Sequence, residues 1–359
     1  MLPSGLHGSE RPRVAVDAMG GDNAPGAIVE GALAAAAEGI PVTLVGHQAQ
    51  LRPLLVGRAD ELDVEVVHAH EVIGPGDEPV SAVRAHPDSS MVVAARLVRE
   101  GRAAAVFSAG NTGAFVAAAI LQVRRMKGVL RPAICTVLPA VPTPVLLLDA
   151  GANAEVRAEH LRQFAIMGQA LAREVLGIEQ PSVGLLSIGE ESTKGTSLVV
   201  EAHRLLVADP RVNFAGNVEG RDVLVHKVDV VVTDGFTGNV VLKTAEGAGK
   251  AIFAIIREGV GASLRGKLGA LLLRRDLRAV RARLDPEEYG GQHLLGMARP
   301  VVIGHGSSGP RGALNAVRFA AQAAAGGLLA TIEGALSQPP DGRPVEVEGA
   351  QGDSRGTSS

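Results

Sequence analysis

The chain has 359 residues, 46% hydrophobic and 20% charged, and 35 Lys and Arg against 38 Asp and Glu leave a formal net charge of −3. That composition excludes a disordered, collagen-like or strongly basic protein, because there is ample apolar surface to bury and the charge is nearly balanced. One cysteine, Cys135, excludes an intrachain disulfide and a Cys-rich zinc site, and suits a reducing, cytoplasmic setting. With no Trp, one Tyr and seven Phe, the core must be aliphatic, and base stacking on aromatic rings is a poor route to nucleic acid. No apolar run precedes Val14, and no later window offers the roughly 18 uninterrupted apolar residues of a membrane span, so neither a signal peptide nor a span is expected.

Residues 1–11 and 336–359 are rich in Pro, Gly, Ser and charge and read as disordered tails around one folded body, 12–335. Along that body the β-branched or Leu-rich runs Val14–Asp17, Val42–Val45, Val64–Val67, Ala104–Phe107 and Ile134–Leu138 predict strands. So do Val145–Asp149, Val183–Ser187, Val212–Ala215, Val228–Thr233 and Pro300–Ile303. Between them, Gly26–Glu38, Ser89–Glu100, Ala154–Leu176 and Thr196–Val207 carry a helical period. Alternating β and α with strands apolar on both faces predicts a three-layer α/β/α sandwich around a mostly parallel sheet. Six strand ends run into polar, glycine-containing loops: those after Asp17, Phe107, Leu148, Ser187, Thr233 and Ile303. In a parallel sheet all six would open on one edge, where exposed amides favour an anion such as phosphate.

Several local patterns carry less. Gly304–Gly309 matches G-x-G-x-x-G, but the second strand with its acidic residue does not follow. Gly261–Leu268 nearly matches a P-loop, yet Leu268 stands where a hydroxyl is needed. Cys135 lies in an apolar run and reads as structural, and His68 and His70 alternate along a strand end without a full ligand set. His305, between two glycines, is a candidate for orienting or protonating a ligand. Lys194, beside Glu190 and Glu191, suits a phosphate or carbonyl oxygen, with the acids to hold it, whereas Lys243 reads as structural. Over 252–283, Ile252, Ile256, Val260, Leu264, Leu268 and Leu272 recur every four residues, and eight Arg and Lys face two acids. This basic amphipathic segment suits a membrane surface, an acidic partner, the core or a second subunit.

Seven strings are specific enough to carry a resemblance. D-A-M-G-G-D at 17–22, S-A-G-N-T-G-A at 108–114, L-D-A-G-A-N at 148–153 and I-G-E-E-S-T-K-G at 188–195 come first in order. N-V-E-G-R-D at 217–222, D-V-V-V-T-D-G-F-T-G-N-V-V-L-K at 229–243 and H-G-S-S at 305–308 follow. Together they resemble the acyl-ACP:phosphate acyltransferase (PlsX) family over about 17–320. The resemblance implies a fold related to isocitrate dehydrogenase and phosphotransacetylase, with 252–283 as a protruding amphipathic helical pair. It also implies a homodimer, peripheral association with the inner membrane face, and a place in phospholipid synthesis beside a downstream membrane glycerol-phosphate acyltransferase. Acyl carrier protein and inorganic phosphate would be the partners, with no cofactor or metal and no nucleic acid.

In that chemistry phosphate is itself the nucleophile and a thiolate leaves, so the protein must supply an anion cradle and oxyanion donors, each worth about 3 kcal/mol. Phosphate binding is expected at the amides around Gly20, Gly21 and Asp22 and around Asn111, Thr112 and Gly113, and at Lys194. Asn239 or His305 would donate to the oxyanion, while Asp234 and Asp149 would orient loops or pair with Lys194. Asn153, Gly189, Glu190, Gly195, Gly235, Gly238, Gly306 and Ser307 complete the expected lining. Leu264, Leu268, Leu272, Arg274 and Arg275 would meet membrane or carrier protein. A metal-dependent NAD(P) dehydrogenase of related fold and a non-enzymatic membrane-associated scaffold are the alternatives.

Overall fold

The computed structural model describes residues 11–277 and 286–338. Of the tails expected at 1–11 and 336–359, residues 1–10 and 339–359 lie outside the described residues, as does the last part of the basic segment, 278–283, while a helix that ends at Ser337 takes in the start of the second tail. The order begins β1 (Val14–Asp17), α1 (Gly26–Ala37), β2 (Val42–Gly46), α2 (Gln48–Leu55), β3 (Val64–His68), α3 (Pro79–Ala85) and α4 (Ser90–Arg99). It continues with β4 (Ala105–Ser108), α5 (Thr112–Gln122), β5 (Ala133–Leu138), β6 (Val145–Leu148), α6 (Ala158–Leu176), β7 (Val183–Leu186) and α7 (Ser197–Val207). Then come β8 (Phe214–Val218), β9 (Val230–Val232), α8 (Gly235–Gly261), α9 (Leu264–Leu272), β10 (Gln292–Leu295), β11 (Val301–Ile303), α10 (Pro310–Ala325) and α11 (Leu328–Ser337).

The strands form one sheet in the order β3-β2-β1-β4-β11-β10-β5-β6-β9-β7-β8. Alternation within each strand sorts the core into layers. Ala15, Val106, Ile303, Leu147 and Val231 face the side covered by α3, α4, α5 and the first turns of α8. Val16, Phe107 and Val302 face α1 and α10, while Cys135, Leu148 and Val232 face α6, with α10 and α11 completing that layer. The expected three-layer architecture is therefore present, and its fully buried side chains are mostly aliphatic.

Two features depart from the expectation. β10 was not foreseen, since Q-H-L-L is short and carries no β-branched residue; pairing with β11 and β5 on both sides makes it a strand. Second, the sheet reverses at its centre, because β5 and β6 are antiparallel, as are β10 and β11 and β10 and β5. For β5–β6 and β10–β11 the connections 139–144 and 296–300 leave no room for a crossover helix, so each pair is a hairpin. Thus β1, β4 and β11 run one way and β6, β9 and β7 the other. The six polar loops do not open on one edge of the ladder; they form two groups of three.

After Leu242, α8 carries no buried residue, so it leaves the body, and α9 packs beside it. The stripe expected over 252–283 is broken at Ser263, whose hydroxyl accepts from the Gly266 amide and caps α9. Its apolar side chains do not join this chain's core: Leu264 is 85% exposed, and Ile252, Ile256, Leu268 and Leu272 are also open. Among the described residues no single helix is long and apolar enough to cross a membrane; α10 and α11 pass together only as a pair bent by 52°.

Candidate active site

The first loop group gathers the ends of β1, β4 and β11. Asp17 is fully buried and accepts from Ser108 Oγ at 2.6 Å and the Met19 amide at 3.1 Å. Burial raises its pKa, against the pull of these hydrogen bonds. A Cβ on Gly20 would lie 2.5 Å from Asp17 Oδ2, so only glycine lets the chain turn over that carboxyl. The Asp22 amide donates to the Gly306 carbonyl at 2.7 Å, and Asn23 donates to the carbonyls of Ser307 and Ser308. His305 Nδ1 lies 2.8 Å from Ser307 Oγ, with both residues exposed. Asn111 caps α5 through the Ala114 amide and donates to the carbonyls of Gly74, Pro75 and Asp77. Its side chain is therefore spent on structure. What remains for a ligand is backbone: the Thr112 and Gly113 amides, which open the helix where it has no internal acceptor for them.

The second group gathers the ends of β6, β9 and β7. Asp149 is buried and accepts five N–H groups: Ile134, Gly151 and Ala152 on one oxygen, the Asn153 amide and Nδ2 on the other. Burial raises its pKa and the donors oppose the rise. With every partner a donor, the loop is built around the ionised form. Asp234 caps α8, accepting from the Thr237 amide at 2.8 Å and the Thr237 hydroxyl at 2.7 Å. Neither acid pairs with Lys194; of the two roles expected for them, only the ordering of loops is realised. Gly235 and Gly238 press this first turn onto the Asp149 loop: a Cβ on Gly238 would sit 1.9 Å from the Asp149 carbonyl oxygen. Asn239, exposed, stands over Gly151 with its Oδ1 about 3.6 Å from where a Cβ would be.

The loop after β7 holds Gly189, Glu190, Lys194 and Gly195. Lys194 is exposed; its amide donates to the Glu191 carbonyl at 3.0 Å and its carbonyl accepts from Ser187 Oγ. The acids beside it do not hold it, contrary to expectation: Glu190 pairs with Lys227, and no carboxylate among the described residues takes the Lys194 ammonium. The long flexible side chain reaches water instead, which leaves its charge available to a ligand. Two exposed apolar residues were missed in this group, Ile188 and Phe236, at 81% and 67% exposure. Their signal in the sequence is a large apolar side chain inside a polar loop motif.

Elsewhere, Cys135 is buried and burial pushes its thiol pKa up, which leaves it inert as a nucleophile. Among the described residues no three His, Cys, Asp or Glu side chains gather as a metal site. A groove between α6 and α11, lined by Gln169, Arg173, Arg211 and Ala335, is built from none of the strand-end loops.

Residues 12–330 match a family model described as fatty acid synthesis protein. The phosphate acyltransferase of Nostoc punctiforme is 47% identical over 329 residues, covering 91% of this chain and 97% of that one. That of Geobacter sp. strain M21 is 46% identical over 347 residues, covering 96% and 98%. A phosphotransacetylase from Streptococcus pyogenes superposes with a TM-score of 0.58 at 16% identity, over 87% of this chain and 94% of that one. The EutD phosphotransacetylase of Staphylococcus aureus does so at 0.55 and 16%, over 88% and 94%, and these two likenesses speak for the fold alone. On the sequence matches, the chain belongs to the phosphate acyltransferase (PlsX) family and is an acyltransferase.

Proposed function

We propose that this enzyme transfers the acyl group of fatty acyl-[acyl carrier protein] to inorganic phosphate, giving an acyl phosphate and the free carrier thiol for phospholipid synthesis. The observation that carries the reading is Lys194: an exposed ammonium without an acid partner among the described residues, at the end of β7 beside the glycine-bedded start of α8. A phosphate oxygen attacks the thioester carbon, the carbonyl oxygen gains charge, and the C–S bond breaks as the thiolate departs and takes a proton from water. Lys194 and the Thr112 and Gly113 amides hold the phosphate, and Asn239 or His305 donates to the oxyanion.

Strand twist supports one cleft between the two loop groups. From β4 to β6 the sheet takes four steps, and at about 20–25° each it turns through about a right angle. The two carboxyl edges, opposed in the ladder, would then open onto adjoining flanks rather than opposite ones. Thiol release from acyl carrier protein, followed with and without phosphate, tests the reaction; release that ignores phosphate refutes it.

The protruding α8 and α9 fit the same picture. Over 252–277 five basic residues outnumber Glu258 and Asp276, beside open Leu264, Leu268 and Leu272. Such a surface suits the anionic inner face of the membrane, where a membrane-bound glycerol-phosphate acyltransferase would consume the apolar product, and the enzyme would work there as a homodimer. Liposome binding that weakens with salt and on reversing Arg274 and Arg275 to Glu supports this; binding indifferent to both refutes it.

A further inference from the structure

Resting on the acyl-transfer reading above, we infer that Ile188, Phe236 and Val240 form a subsite for the acyl chain beyond its first carbons and so set chain-length preference. β7 and β9 pair in register with Leu185 opposite Val232. Ile188 lies three residues past the first, in the loop, and Phe236 four past the second, in the first turn of α8, so both follow the carboxyl ends of neighbouring strands about 4.8 Å apart. Val240 follows Phe236 by one helical turn on the same face of α8. All three are open to solvent, at 81%, 67% and 49% exposure, while Gly235, Gly238 and Leu242 turn the opposite face of that helix to the core.

Large apolar side chains are costly to leave in water, and here they are interleaved with the polar groups of the site. Ile188 shares its loop with Lys194, and Phe236 stands between the cap Asp234 and Asn239. An acyl phosphate or acyl thioester has that polarity: a hydrocarbon chain joined directly to a charged or charge-gathering head. A ligand whose head meets Lys194 and Asn239 has this apolar trio beside it for the chain that continues past its first carbons. The observed arrangement matches that division of chemistry better than it matches a second copy of the chain, which would have to bury Lys194 as well.

The test compares Ile188→Ser and Phe236→Ser with the unaltered protein, using 4-carbon and 16-carbon acyl groups on acyl carrier protein. The expected result is a fall of tenfold or more in kcat/KM for the long chain, less than twofold for the short chain, and an unchanged KM for phosphate. Equal losses on both chains, no loss on either, or a shift of oligomeric state accompanying an equal loss would overturn the subsite. A binding arm decides the question independently of turnover: hexadecanoyl phosphonate and butanoyl phosphonate, mimics of the product, are titrated calorimetrically. Ile188→Ser, on an exposed loop, should weaken the long mimic alone. If the unaltered protein releases no thiol in response to phosphate but binds the long mimic through Ile188, the reaction fails and the subsite stands.

Discussion

The two loop groups are built from similar motifs and come out chemically different. Around β1, β4 and β11 the acid and amide at two of the strand ends are turned inward: Asp17 is roofed by Ser108 and Met19, and Asn111 is tied to three carbonyls of the 74–77 loop. That group presents backbone amides together with the exposed Asp22, His305 and Ser307. Around β6, β9 and β7 the acids are likewise consumed as Asp149 and Asp234, but Lys194 and Asn239 project into solvent. Asp17, Asp149 and Asp234 thus build their loops, while Lys194 and Asn239 stay open to solvent.

The largest effect should come from the buried brace of the second group. Replacing Asp149 by Ala strands five donors, and thermal or urea unfolding should show a loss of about 3–5 kcal/mol. Stability close to that of the parent would mean the two groups do not differ in the way described. Replacing Lys194 by Ala should lower turnover by about 10²–10³-fold with the unfolding midpoint unchanged, since its side chain braces nothing; parental turnover would assign the phosphate to the first group alone. Replacing Asp234 by Ala removes the α8 cap and should cost about 1–2 kcal/mol, lowering turnover through displacement of Asn239.

A pH effect comes from neither group, and separates core from site. His293 is buried against Phe319, its Nε2 unpartnered, and burial lowers its pKa to about 3. The unfolded chain takes up that proton near the ordinary value of about 6.5, so this contribution to stability is full above that value. It drains as pH falls toward 3, by about tenfold in the unfolding equilibrium per pH unit. His293→Gln should flatten this dependence in unfolding measured from pH 7 to pH 4. The smallest effect is expected at the protruding pair: Leu268→Ser should change unfolding by less than about 0.5 kcal/mol, since that side chain is exposed in this chain. A larger loss would show that a second subunit covers it.

Much of this was legible along the chain. Strands such as Val145–Leu148 and Val183–Leu186 announce themselves because a strand buried on both faces must be apolar throughout, and the polar loops that follow them are visible as breaks. Lys194 and Asn239 stand out by residue type alone. The family strings placed them in a reaction.

Other matters were settled in three dimensions. Whether an acid in a loop faces a ligand or caps a helix depends on which amides fold back onto it, and the partners of Asp149 include Ile134 from another strand. The partner of Glu190 is Lys227, 37 residues away, rather than the nearby Lys194. β10 exists because β5 and β11 flank it, and with the β5–β6 hairpin it turns half of the sheet around. Residue type and spacing are properties of the chain, so the sequence determined the elements and the candidate chemistry. Strand direction and the pairing of charges depend on contacts distant in sequence, so only the tertiary structure decided which loops share an edge and which side chains are left free.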